Sequence, residues 1–211
     1  MRFGSILLFL ILFSLPIFAT QTLVVYTTVV CTLGDSYYST IQSAIDDSVD
    51  GDTIIVCANG TEPYYENILI EKQINLYGYE SGVKLASPDG TGVVKILADN
   101  VNFSNFTIET SLNYGESGIW AEGAHLNIDN IDISELLGDD GEIDGYGVLG
   151  FASYSNFSHI NIHNTDIGYL LSWDSFSTIS DGSVYDCRYG VYIQGPMDEH
   201  YSRSHKMEAI D

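Results

Sequence analysis

Four stretches decide the architecture: VKILADNVNFSNFTI (94–108), IWAEGAHLNIDNIDI (119–133), VLGFASYSNFSHINI (148–162) and LLSWDSFSTISDGSV (170–184). Set under one another they align without a gap over 15 positions, and a fifth copy opens at Val191 with VYIQG. Successive starts lie 25, 29, 22 and 21 residues apart, so the loops after the aligned block absorb the length changes. Self-similarity at this spacing is the mark of a stacked-repeat architecture.

Within a block, apolar residues fall on every second position, which is strand patterning. The first position reads Val94, Ile119, Val148, Leu170 and Val191; the tenth, Phe103, Ile128, Phe157 and Ile179; the last, Ile108, Ile133, Ile162 and Val184. Between the tenth and the last, the twelfth position is Asn105, Asn130, His159 and Asp181. A polar residue held in one register between two apolar strands suits a tight bend, because Asn and Asp tolerate left-handed backbone angles and bond the turn. Stacked coil on coil, these side chains are expected to bond one another along an otherwise buried polar line, with Asn105 turned inward. Three short strands and one polar corner in about 22 residues make a right-handed parallel β-helix rung. The predicted fold is therefore all-β, a single solenoid over residues 38–195.

A β-helix leaves an apolar end that must be covered. Tyr38–Ser48 reads as a short helix that can lie across it, with Ile41, Ala44, Ile45 and Val49 facing the first rungs. Those rungs are Thr53–Cys57, Ile68–Ile70 and Ile74–Tyr77, and residues 20–37 form an N-terminal strand or linker. At the other end Gly195-Pro196 stops the repeat and residues 196–211 are polar. Either this tail folds over the last rung, or the chain is a fragment of a longer helix.

The opening YSTIQSAIDDSVDGDTIIVCANGTEPYYENILIEKQINLYG (38–78) resembles that of the pectin-lyase-like β-helix proteins, in particular the NosD-like and "carbohydrate-binding and sugar hydrolase" repeat domains. The matching residues are Ile41, Ala44 and Ile45 on the helix, then Gly51-Asp52, Tyr65-Glu66-Asn67, Lys72, Leu76 and Gly78. The resemblance covers about residues 38–195 and implies the fold. It does not choose an activity, since this superfold hosts lyases, hydrolases, epimerases and adhesins.

Met1-Arg2 followed by the apolar run Phe3–Phe18 reads as an export signal over residues 1–19, with Ile17 and Ala19 set for cleavage after Ala19. The alternative is an uncleaved anchor, although the run is short for a spanning helix. No later segment approaches a membrane span, so the expected location is secreted or cell-surface. With 29 acidic against 7 basic side chains, a net charge of −22 makes nucleic acid an unfavourable partner, because neutralising phosphates needs clustered Lys and Arg. At 45% hydrophobic the chain is too apolar for a disordered acidic tail. Of three cysteines, Cys31 and Cys57 could pair and leave Cys187 single, and no Cys-x-x-Cys supports a zinc or thioredoxin site.

If the first position of each block points inward, alternation turns two rows outward. One is Lys95, Trp120, Leu149, Leu171 and Tyr192; the other is Leu97, Glu122, Phe151, Trp173 and Gln194. A contiguous apolar face of this kind marks a binding or packing surface. As a sugar platform it would stack rings on Trp120, Phe151, Trp173 and Tyr192 while Glu122 and Gln194 bond hydroxyls; the competing reading is burial under a loop or another subunit. The acidic loop 138–145 carries Asp139, Asp140, Glu142 and Asp144, which could wrap a calcium ion or stand solvated. Asn59, in Asn59-Gly60-Thr61, is the sequon best placed for a glycan; those at Asn102, Asn105 and Asn156 fall out of the repeat itself.

Catalytic readings have less to stand on. Lyase chemistry wants clustered carboxylates and a basic Arg or Lys, and Lys95 with Glu122 one rung on is the sole such pair in a plausible place; a surface ion pair explains it equally. Asn164-Thr165-Asp166 and Asp139-Asp140 echo polygalacturonase motifs but in the wrong order, and the remaining motifs are missing. His159 sits in the bend column as a substitute for Asn, and His163 should face outward near Asp132 and Asn161, thin support for a copper site. The leading expectation is an exported, non-catalytic module binding carbohydrate or another surface protein through the aromatic stripe. A polysaccharide-active lyase or hydrolase is the alternative. No cofactor is expected unless calcium binds the acidic loop.

Overall fold

The computed structural model describes residues 20–26, 34, 36–80, 82–110, 116–135, 145–172, 176–194 and 205–207. The first described strands are β1 (Thr22–Val25) and β2 (Ser36–Tyr38), followed by the helix α1 (Ile41–Asp47). β3 (Thr53–Val56) and β4 (Tyr64–Tyr65) precede five coils. These run β5 (Ile68–Ile70), β6 (Asn75–Gly78), β7 (Lys84–Ala86); β8 (Val94–Ile96), β9 (Asn102–Thr110); β10 (Ser117–Ala121), β11 (Asn127–Glu135); β12 (Tyr146–Gly150), β13 (Asn156–His163); and β14 (Ile167–Ser172), β15 (Thr178–Ser180), β16 (Ser183–Tyr185). β17 (Tyr189–Gln194) begins a sixth, and β18 (His205–Met207) returns antiparallel to it. Every other pairing is parallel, in an 11-stranded sheet and a seven-stranded sheet, so the chain is a parallel β-helix.

The register reproduces the sequence alignment in the larger sheet. Leu23, Ile54, Leu76, Phe103, Ile128, Phe157 and Ile179 pair in succession. Ile108, Ile133, Ile162 and Val184 pair likewise after the bend. Apart from Ile179, expected inside but 38% exposed on the fifth coil, and Val184, which is half-buried against the cluster, these columns are continuous with Val94, Ile119 and Val148 in one buried core. Burying each such side chain contributes about 1.5–3 kcal/mol, so the stack itself is the source of stability.

One coil departs from the ungapped alignment. Val148 pairs with Tyr169, not Leu170, and Tyr169 pairs with Val191. Tyr169 therefore takes the interior column, Leu170 joins the outer row beside Leu149 and Tyr192, and Leu171, expected outside, is buried. The extra residue is absorbed before Ile179, where the register is regained. The glycines ahead of this column have a steric cause. A Cβ on Gly118 would lie 3.0 Å from both the Gly147 carbonyl and Ile133 Cγ2, and one on Gly168 would lie 2.5 Å from Gly190 O and Val184 Cγ1.

The bend column is left-handed throughout, with φ of 65° at Asn105, 53° at Asn130, 50° at His159 and 56° at Asp181. It lies on the surface, not in the interior. Asn105 is half-buried and Asn130, His159 and Asp181 are exposed, because the apolar neighbours on either side fill the core. A second amide column, unanticipated, runs through Asn75, Asn102, Asn127 and Asn156. In it Asn102 Nδ2 donates to Asn75 Oδ1 at 2.6 Å and Asn156 Nδ2 to Asn127 Oδ1 at 3.2 Å.

The N-terminal cap is fastened by residues that the opening motif contains. Thr40 caps α1, accepting from Ser43 N, and Ile41, Ala44 and Ile45 are buried. Val49, expected to join them, is 45% exposed. Glu66 accepts from the backbone N–H of Ile41 and Gln42 at 3.0 and 2.9 Å, where the helix leaves donors unpaired. Lys72 Nζ closes the other end on the carbonyls of Ile45, Asp46 and Ser48 at 2.9, 2.6 and 2.7 Å. Gln42 meanwhile exchanges two hydrogen bonds with the backbone of Leu69, pairing with β5 as a strand would. Within the segment expected as strand or linker, β1 and β2 belong to the solenoid, since β1 pairs β3 and β2 pairs β1. On its outer face Val24, Ile55 and Cys57 form a separate small cluster with Tyr26 and Tyr77.

Candidate functional site

The outer face of the seven-stranded sheet carries the row Lys95, Trp120, Leu149, Leu170 and Tyr192, in register on successive strands. Alternation puts it there, because Val94, Ile119 and Val148 fill the interior on the preceding position. Lys95 and Glu122, expected as a base–acid pair, instead both engage Trp120. Lys95 Nζ lies 4.4 Å over the Trp120 ring, and Glu122 Oε1 accepts from Trp120 Nε1 at 2.8 Å. The indole is thus fixed by a cation on its face and a carboxylate on its edge, a pairing that contributes about 0.5–1 kcal/mol at an exposed site.

Phe151 is 46% exposed, with its ring 6.0 Å from Trp120 and tilted 46°. These two aromatics come together as expected. Tyr192 packs instead on Tyr189, at 6.3 Å, and Gln194 pairs with Ser172. The one-residue shift at Tyr169 puts Ser172, not Trp173, opposite Gln194; Trp173 itself lies outside the described residues. So do Asp139, Asp140, Glu142 and Asp144, and so does Cys31. Cys57 is disulfide-bonded and Cys187 is a free thiol. Asn59 is half-buried and its carbonyl accepts from Glu62 N at 3.1 Å.

Beside the indole lies a cavity of about 320 Å³, with Asn67, Leu69, Thr91, Lys95, Glu116 and Trp120 in its wall. That volume suits a small ligand. Its rim is preorganised. Asp89 Oδ1 accepts from Asn67 Nδ2, Ser87 Oγ and Thr91 Oγ1, and these bonds hold the Asp89 carboxyl well below the usual carboxylate range. Glu116 Oε2 accepts from Gly92 N at 3.1 Å.

Sequence reasoning missed a second aromatic feature at the corner between the sheets. His125, Tyr154 and Phe176 stack at 5.7 and 5.6 Å with interplanar angles of 17° and 10°. All three hold left-handed φ, of 55°, 53° and 47°, and Tyr154 and Phe176 are 62% and 74% exposed. Aromatic side chains rarely adopt this backbone region. The seventh position of the aligned blocks, which reads Asn100, His125, Tyr154 and Phe176, carries the signal in its first member.

The titratable pairs lie on the other sheet. His159 Nδ1 meets Asp129 Oδ1 at 2.8 Å, and Ser158 Oγ donates to the same oxygen at 2.7 Å. Bonds from Ser158 and His159 lower the Asp129 pKa, and the bond to Asp129 raises that of His159. His163 stands near Asp132 as expected, Nε2 to Oδ1 3.2 Å, with its Nδ1 bonded by Asn164 Nδ2 at 3.1 Å and its ring stacked on Tyr185 at 4.9 Å. Among the described residues no three His, Cys, Asp or Glu side chains are grouped to hold a metal. The arrangement around Trp120 offers stacking surface and fixed hydrogen-bonding groups.

No protein-family model matches the chain, and no curated protein matches it.

Proposed function

We propose that the chain is an exported, non-catalytic carbohydrate-binding β-helix of the pectin-lyase-like kind, akin to NosD-like and "carbohydrate-binding and sugar hydrolase" repeat domains. The observation that carries the reading is the indole of Trp120, held by Lys95 and Glu122 next to Phe151 and opening on a cavity of about 320 Å³. A pyranose ring presents an apolar face and a belt of hydroxyls. The first matches the aromatic pair, and the second matches the amide, carboxylate and ammonium groups of Asn67, Glu116 and Lys95. A rigid sheet holds these groups in place before the ligand arrives, which lowers the ordering cost of binding. The resemblance of residues 38–78 to the opening of those repeat domains agrees with this reading.

A glycan array read with wild type and Trp120→Ala tests it, with Trp173→Ala alongside. The expected result is binding to a defined set of saccharides that is lost in Trp120→Ala while circular dichroism is unchanged. Binding that survives Trp120→Ala contradicts the platform. No binding by the wild type, together with capture of a surface protein that Trp120→Ala abolishes, would move the same face to protein docking.

A further inference from the structure

We infer that a second saccharide site, selective for a sugar bearing a primary amine, lies on the opposite sheet, in a groove of about 360 Å³ between the turn after β6 and the strands β9, β11 and β13 of the coils above it. It does not depend on the Trp120 face. Its floor is built by the register: Thr107, Asp132 and Asn161 pair in succession on β9, β11 and β13, so three polar side chains rise from neighbouring coils about 4.8 Å apart. Asn105 and Asn130 of the left-handed column line it as well, with Tyr79 and Glu80.

The amides are already oriented. Asn105 Nδ2 donates to Gly78 O at 3.3 Å and Asn130 Nδ2 to Asn105 Oδ1 at 2.9 Å, so the remaining carbonyl of Asn130 is an acceptor with no partner among the described residues. Asn161 Oδ1 accepts from Ser183 Oγ at 2.7 Å, which leaves its Nδ2 as a donor. Asp132 engages His163 through Oδ1 and keeps Oδ2. Tyr79, 49% exposed at the mouth, offers a ring face.

Charge selects the ligand. Among the described residues the lining holds two carboxylates, Glu80 and Asp132, and no Lys or Arg. The nearby Lys84 is committed to Glu109 at 2.7 Å. A uronate or sulfated sugar would meet repulsion there, and a neutral sugar would form no charge-assisted bond to the carboxylates. An ammonium group can instead make a charge-assisted hydrogen bond to Asp132 or Glu80 and be held by the field of the other.

The test is isothermal titration of the full chain with glucosamine oligomers and with fully N-acetylated oligomers of equal length, near physiological ionic strength. The glucosamine oligomer is expected to bind about tenfold more tightly, the scale of one charged hydrogen bond, and Asp132→Asn and Glu80→Gln are each expected to weaken it by about that factor. Glu80→Gln lies on an exposed turn and keeps the test valid if Asp132→Asn disturbs the fold. Asp181→Asn/Asp186→Asn removes two exposed charges elsewhere and should leave the affinity unchanged, as should Trp120→Ala. Equal binding of both oligomers, equal weakening by the Asp181/Asp186 variant, or no binding by the wild type would each overturn the assignment. Loss with Trp120→Ala alone would transfer the ligand to the other face.

Discussion

Asn130 donates its side-chain amide to Asn105 one coil below, at 2.9 Å, and both residues hold the left-handed backbone of the bend. One side chain therefore meets two requirements: it tolerates positive φ and it ties successive coils together. Removing the second property while sparing the first should separate them. Asn130→Gly is expected to cost less than Asn130→Ala, by about 1 kcal/mol in urea denaturation, since Ala adds left-handed strain to the lost bond. Equal costs would mean that the backbone angle is not what the bend column selects for.

Tyr169 occupies an interior column filled elsewhere by Val94, Ile119 and Val148, and its hydroxyl is buried without a hydrogen-bond partner among the described residues. Burial also pushes the phenol pKa well above its ordinary value. Tyr169→Phe keeps the ring against Phe157, 6.4 Å away, and removes the unsatisfied group. Thermal melts should show stability unchanged or raised by up to about 1 kcal/mol. A clear loss would mean that the hydroxyl is bonded in solution.

Lys72 donates to three carbonyls at the end of α1, so it anchors the cap more than it contributes charge. Lys72→Met retains the stem and deletes the donors. Hydrogen exchange should accelerate at α1 amides, with about 2 kcal/mol of local stability lost, while the β9 and β11 amides stay protected. Uniform acceleration across the coils would show that the cap and the stack unfold as one unit.

The Asp129–His159 pair makes a pH-dependent contribution of defined sign. Asp129 has a lowered pKa, so its share is present above the ordinary aspartate value and is lost as the pH falls through the lowered one. His159 has a raised pKa, so its share is complete below the ordinary histidine value and is lost as the pH rises through the raised one. Stabilisation by the pair is therefore greatest in mildly acid solution. An NMR titration of the His159 ring should give a pKa above the usual histidine value that returns towards it in Asp129→Asn. An unchanged midpoint in that variant would contradict the pairing.

The coils were legible because apolar alternation and the polar twelfth position recur on one register, and a residue such as Asn105 has few other uses between two buried strands. Leu170 was misassigned because Tyr169, Leu170 and Leu171 are all apolar, and an extra residue before Ile179 leaves the second half of the block aligned. Trp120 and Phe151 followed from alternation alone. The cavity beside them did not, because Asn67 and Thr91 come from an earlier coil whose irregular turns break the period. The groove on the opposite sheet was hidden for the same reason: Tyr79 and Glu80 stand outside the repeat. Glu66 and Lys72 were visible as motif residues, but their role as helix anchors needed the fold.

The Trp120 platform is tested most directly by its own fluorescence. In a Trp173→Phe chain Trp120 is the single tryptophan, and the saccharide selected on the array can be titrated against it. A saturable change in emission, with the same midpoint as calorimetric binding, is the predicted result. Saturable binding by calorimetry with no change in Trp120 emission would place the ligand elsewhere and contradict the account.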